Sequence, residues 1–100
     1  MLEDGTYDKD GLKIAYPDGY QVGTWDEHIG VNMVHDLKSV MNDMAKITEE
    51  IGVWTDTETG KIWVEPCVWI PDLDSALRIA RALNQVAIWD WANMKEIRLN

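Results

Sequence analysis

The stretch that most constrains this fold runs from residue 52 to residue 91. Gly52-Val-Trp-Thr-Asp-Thr-Glu-Thr-Gly60 followed by Lys61-Ile-Trp-Val64 reads as two strands around a turn. Asp72-Leu-Asp-Ser-Ala-Leu-Arg-Ile-Ala-Arg-Ala-Leu83 then reads as a helix with an acidic cap, and Val86-Ala-Ile-Trp-Asp-Trp91 as a returning strand. The apolar period is two in the strands and near 3.6 in the helix, so one short segment demands both a sheet and a helix laid on it. That combination predicts a small α+β protein.

Within this segment, Val53 to Thr55 is the first strand and Asp56 to Gly60 its hairpin loop, with glycine near the end. The next strand starts at Lys61 and runs toward Ile70. Pro66 interrupts it, and because proline cannot donate to a ladder, this strand is expected to be an edge or to carry a bulge. Trp63, Cys67 and Trp69 share one parity, while Ile62, Val64, Val68 and Ile70 share the other, so both faces read as covered. Asp72 or Asp74 caps the second helix. Its expected buried stripe is Leu73, Ala76, Leu77, Ala80 and Leu83, and Asn84 ends it. Glu96 to Leu99 adds a short edge strand.

The first half is less regular. Leu12 to Trp25 reads as a hairpin around Pro17-Asp18-Gly19, where proline presets φ and glycine supplies a positive one. Asp8-Lys-Asp-Gly11 is a second turn, fed by a short strand near Thr6 and Tyr7. Asp26 to Gly30 reads as loop. A helix is then expected from Val31 or Asn32 to Ile51, with Met33, Val34, Leu37, Val40, Met41, Met44, Ile47 and Ile51 on one face and Gly52 as its stop. The expected architecture is one domain over residues 1–100. It has an antiparallel or mixed sheet of four to six strands with two helices packed on one face, in the order β-β-α-β-β-α-β-(β).

Charge bounds the partners. Eighteen acidic residues face nine basic ones, for a net charge of −9. Through Gly30 the acids are Glu3, Asp4, Asp8, Asp10, Asp18, Asp26 and Glu27, against only Lys9 and Lys13. A field of this sign repels phosphate backbones and anionic lipid, which argues against direct nucleic-acid or membrane binding. It favours a protein partner with a basic surface, and Asp8, Asp10, Asp18, Asp26 and Glu27 are the candidate partner-binding residues. It also keeps a small protein soluble without any partner. The acidic start carries no apolar leader, no apolar run approaches the roughly 20 residues that span a bilayer, and one cysteine forbids an internal disulfide; the expected location is cytoplasmic.

Catalytic patterns are weak. His28 and His35, with Asp26, Glu27 and Asp36 nearby, are the only candidates for a metal-dependent hydrolase, but their spacing fits no metal motif and solvated histidines explain them better. Asp8-Lys-Asp-Gly11 lacks the bidentate glutamate of a calcium loop. Thr59-Gly60-Lys61 lacks the first glycine and the Ser/Thr of a phosphate loop. Ser39 and Ser75 have no elbow or neighbouring base, and Cys67 lies in an apolar strand. No enzyme activity, metal or cofactor is expected. The six tryptophans are the other notable feature: core packing explains most, and an uncovered face would make them a binding or dimer patch.

With the 52–64 hairpin set beside the run from Asp72 to Asp90, the chain resembles small uncharacterised proteins of bacteriophages and prophages. These carry a G-x-W-x-D-x-x-T-G-K hairpin, a D-x-x-x-A-x-x-x-A helix and an N-Q-x-A-I-W-D strand. The resemblance covers residues 52–91, less than half the chain, and brings no catalytic residue with it. It implies a non-enzymatic accessory protein of phage or mobile-element type, in the bacterial cytoplasm, that binds a host or phage protein. The acidic front half would meet a basic surface, such as that of a nucleic-acid-binding protein. The second reading is a homo-oligomer built on the Trp-rich sheet.

Overall fold

The structure, a computed structural model, describes residues 4–24, 29–31, 34–55 and 57–99. Among these residues the elements are β1 (Gly5–Asp8), β2 (Lys13–Ile14), β3 (Tyr20–Gly23), β4 (Ile29–Val31), α1 (Val34–Met44), β5 (Glu50–Thr55), β6 (Ile62–Ile70), α2 (Leu73–Ala82), β7 (Ala87–Asp90) and β8 (Lys95–Arg98). The class is α+β, as the alternating periodicities predict, and the described strand registers are all antiparallel. The strand count exceeds the expected four to six. The additions are β4, which falls in the expected loop and helix start, and β1, foreseen only as a short feeder to a turn.

The chain forms two compact units, Met1–Ile14 with Glu27–Pro66, and Ala15–Asp26 with Cys67–Asn100. In the first, β1 lies between β2 and β5, and β6 pairs with β5 and, through Ile62–Val64, with β4. Tyr7, Ile51, Val53 and Val64 are buried, as are Leu37, Met41 and Met44 of α1. The steps of four and three between those helix residues place them on one stripe. Each fully buried side chain of this size contributes about 1.5–3 kcal/mol.

The first helix is shorter than its apolar stripe predicts. It ends at Met44, and the amides of Ile47 and Thr48 both bond to the Met44 carbonyl. Ile47 is 63% exposed, while Ile51 lies in β5 and is buried. Both residues fit a period of 3.6, but Ile51 and Val53 also alternate around Gly52. The ladder to β1, with Tyr7 opposite Ile51, settles the choice for strand. Gly52 is therefore a strand residue, not a helix stop.

Pro66 does not place β6 at an edge. Its partners change there: β4 pairs through Val64, and β3 pairs from Cys67 onward. Neither of these two registers includes Glu65 or Pro66.

In the second unit β3 lies between β6 and β7, and β8 forms the edge. Among the described residues, the expected hairpin over 12–25 does not pair with itself: β2 pairs β1, while β3 pairs β6 and β7. Helix α2 packs on β3 and β7. Its Ala76 and Ala80 join Val22, Ile70 and Ile88 in a core flanked by Tyr20, Leu77, Ile97 and Leu99. Leu73, expected in the buried stripe, is 41% exposed. At the start of α2 the Asp72 carboxylate accepts the Ser75 amide at 2.9 Å, so Asp72 rather than Asp74 is the cap. That hydrogen bond holds the Asp72 carboxyl below the usual aspartate range.

Candidate functional site

The first unit has a core face and an outer face, and the strand registers sort its side chains between them. Tyr7 and Ile51 are opposite each other on the core face. Successive strand residues alternate, so Thr6, Asp8, Glu50, Gly52 and Trp54 belong to the other face, called outer although Thr6 on it is itself buried. Trp63 joins them, because its ring stacks on Trp54 with centroids 6.0 Å apart and planes 24° apart. Glu65, two residues further along β6, shares that face: a Cβ at Gly52 would meet Glu65 Cγ at 3.4 Å and Oε1 at 3.7 Å.

This outer face combines an aromatic pair with carboxylates. The charged residues that β1, β5 and the Ile62–Pro66 part of β6 place on it are Asp8, Glu50 and Glu65. Asp8 and Glu50 stand directly opposite each other in register. Asp4 borders the face just before β1, and its Oδ1 accepts the Thr55 hydroxyl at 2.9 Å. At the margin Lys9 pairs with Glu49 at 3.6 Å, both exposed.

The candidate residues read from sequence divide. Asp8 is on this face, and its Oδ1 also accepts the amides of Asp10 and Leu12, each at 2.9 Å. It thus builds the turn between β1 and β2, with Gly11 at φ 85° completing it. Asp10 is exposed on the same turn. Asp18 is exposed in the turn before β3, and its carbonyl rather than its carboxylate is engaged, accepting Trp69 Nε1 at 2.9 Å. Asp26 and Glu27 lie outside the described residues, as does His28; His35 is in α1, its side chain outside them too. Among the described residues no group of three His, Cys, Asp or Glu is placed to hold a metal. Glu50 and Glu65 were not singled out in the sequence, because their shared face depends on the β1–β5–β6 registers.

The second unit holds the other aromatic assembly. Tyr16 stacks on Trp69 at 5.1 Å and meets Trp91 edge-on at 5.7 Å; Trp89 meets Trp91 at 6.3 Å, also edge-on. Trp91 is 6% exposed and donates Nε1 to Gln21 Oε1 at 3.0 Å, while Gln21 Nε2 donates to Cys67 Sγ at 3.3 Å. These bonds satisfy a buried indole and a buried amide, so this assembly is packing with its polar groups matched. The Cys67 thiol is buried within it.

Two polar features near α2 also have structural work. Asn84 has φ 57°; its amide bonds to Arg81 O at 3.2 Å, and the Gln85 amide to Ala80 O at 2.9 Å. That double closure is the Schellman ending of a helix, with asparagine in the left-handed position that glycine usually takes. A depression of ≈ 260 Å³ lined by Arg81, Asn84, Gln85, Val86 and Leu99 lies beside it. Its volume falls below the roughly 300 Å³ at which small-molecule pockets usually begin. At the end of β7 the Asn93 side chain donates to Asp90 Oδ2 at 2.8 Å, and this bond holds the Asp90 carboxyl below its usual range.

No protein-family model, curated protein or solved structure matches the chain. Among the described residues, no helix is long and apolar enough to cross a membrane.

Proposed function

We propose that the chain is a non-enzymatic accessory protein, of the phage or mobile-element type that residues 52–91 resemble, which binds a protein with a basic surface. The observation that carries this reading is the outer sheet face of the first unit. The strand registers place Asp8, Glu50 and Glu65 on the same face as the Trp54–Trp63 pair. The net charge of −9 steers the same class of partner over longer range.

The test is retention of proteins from lysate of the source cell, at low and then high ionic strength. Basic proteins that bind at low salt and are released as salt rises support the reading, because exposed charge pairs are screened beyond about 10 Å at 0.1 M. An empty retention, or one indifferent to salt, removes it.

A second reading is self-association through the Trp-bearing sheet, supported by a large aromatic, Trp54, that is 39% exposed. A second copy would bring its own carboxylates to the contact, which weakens this reading at low salt. Native mass spectrometry showing only monomer at micromolar concentration would remove it.

A further inference from the structure

We propose that Asp10 is a site of spontaneous covalent modification: its carboxyl closes on the Gly11 amide, and the Asp10–Gly11 link isomerises to isoaspartate. This stands apart from the partner reading and needs only water. The chain holds three Asp–Gly links, Asp4–Gly5, Asp10–Gly11 and Asp18–Gly19. Glycine has no Cβ to shield its amide nitrogen from the preceding carboxyl, so the sequence makes all three candidates.

The structure separates them. The Asp4 carboxylate accepts the Thr55 hydroxyl at 2.9 Å, and Gly5 is fixed in β1 opposite Val53. The Asp18 carbonyl accepts Trp69 Nε1 at 2.9 Å, and Gly19 is buried against that indole. Turning the Asp18–Gly19 peptide toward the carboxyl breaks that bond. Asp10 and Gly11 are both exposed, and a Cβ on Gly11 would meet nothing within 4 Å beyond its chain neighbours. The Asp10 carboxylate has no hydrogen-bond or ion-pair partner among the described residues. What holds the link is the Gly11 amide, bonded to the Asp8 carbonyl at 3.0 Å. Beyond that turn lies β2, two residues paired to β1 at the end of the sheet. Short exposed elements of this kind open at low free energy.

In the open turn the Gly11 nitrogen attacks Asp10 Cγ and gives up its proton, while Cγ expels a hydroxyl that leaves as water. The cyclic imide then takes water back at either carbonyl. Addition at Cγ restores aspartate. Addition at the main-chain carbonyl leaves the chain running through Cβ, one methylene longer, with the α-carboxylate as the side group. The mass is unchanged, and no oxidant or other reagent enters. The Asp8 carbonyl accepts the Gly11 amide, and Asp8 Oδ1 accepts those of Asp10 and Leu12. A longer link disrupts this closure, so β2 loses its register on β1.

The test ages the full chain at neutral pH and physiological temperature, folded and in urea, and maps isoaspartate by electron-transfer fragmentation of its peptides. Folded wild type should accumulate isoaspartate at position 10 ahead of positions 4 and 18. In urea the preference for position 10 should disappear, because the contacts that protect Asp4 and Asp18 are gone. Hydrogen exchange at Lys13 and Ile14 should quicken in aged wild type and stay unchanged in aged Asp10→Glu, whose longer side chain disfavours the ring closure. Isoaspartate that appears first at position 4 or 18, or at none of the three, overturns the proposal. The same order of rates in urea as in the folded chain also overturns it, since the selection would then owe nothing to the structure.

Discussion

A Cβ on Gly19 would lie 2.3 Å from Nε1 of Trp69. The same indole nitrogen donates to the carbonyl of Asp18, and the Gly19 carbonyl accepts the Trp91 amide. Gly19 also has φ 82°. One glycine therefore meets two independent demands, a left-handed backbone and contact with a tryptophan face.

Gly19→Ala should consequently be far more costly than an ordinary turn substitution. The left-handed strain alone is on the order of 1–2 kcal/mol. The displaced indole would also lose its bond to Asp18 and its stack on Tyr16. Chemical denaturation should show a loss above 2 kcal/mol, taken as about that strain plus a hydrogen bond. Tryptophan fluorescence of the folded variant should change as well. A loss under roughly 0.5 kcal/mol, the scale of an ordinary surface substitution, would contradict this account of the turn.

Gln21 links Trp91 to Cys67 through both ends of its amide. Gln21→Leu leaves a buried indole N–H without its acceptor, at a cost of about 1–3 kcal/mol. Gln21→Glu keeps the acceptor but buries a charge, so its penalty should shrink as pH falls and the carboxyl protonates. Urea titrations at two pH values measure both effects; equal penalties at the two values for Gln21→Glu would rule out the buried-acceptor role.

Asp72 and Asp90 both have carboxyl groups held below the ordinary aspartate value. The depressed folded-state value means the unfolded chain binds protons first as acid is added. Their stabilisation is present above the unfolded aspartate pKa of about 3.9 and is lost as pH falls through the folded values. Asp90→Asn should remove part of this dependence, flattening the fall in Tm below about pH 4. An unchanged slope would show that the Asn93 contact does not persist in solution.

Asn84 ends α2 in the left-handed region. Asn84→Gly should be neutral or mildly stabilising, since glycine is the residue this position usually carries. Asn84→Val should cost roughly 1–2 kcal/mol, because a branched Cβ crowds that backbone. Thermal melts of the two variants that coincide would refute the Schellman assignment.

The segment from Val53 to Asp90 was legible because each element carries its own local instruction. Asp72 caps, Ala76 and Ala80 lie on the sheet-facing stripe, Asn84 stops the helix, and Gly60 closes the hairpin loop. The limits of α1 within the region from Ile29 to Ile51 were not. There Ile47 and Ile51 satisfy a helical period, and Ile51 with Val53 satisfies a strand period, so local pattern leaves two answers. A partner strand decides between them: Tyr7 opposite Ile51 on one side, and Val64 opposite Ile29 for the short strand β4. Of the candidate site, the sequence supplied the acidic balance and Asp8. It could not supply the face that joins Asp8 to Glu50 and Glu65 beside Trp54 and Trp63. Charge and composition are sums over the chain, and local propensity acts over a few residues. Which side chains of different strands share a surface is fixed by the register between strands, where a slip of one residue in β1 or β6 would send Asp8 or Glu65 to the face opposite Trp54 and Glu50.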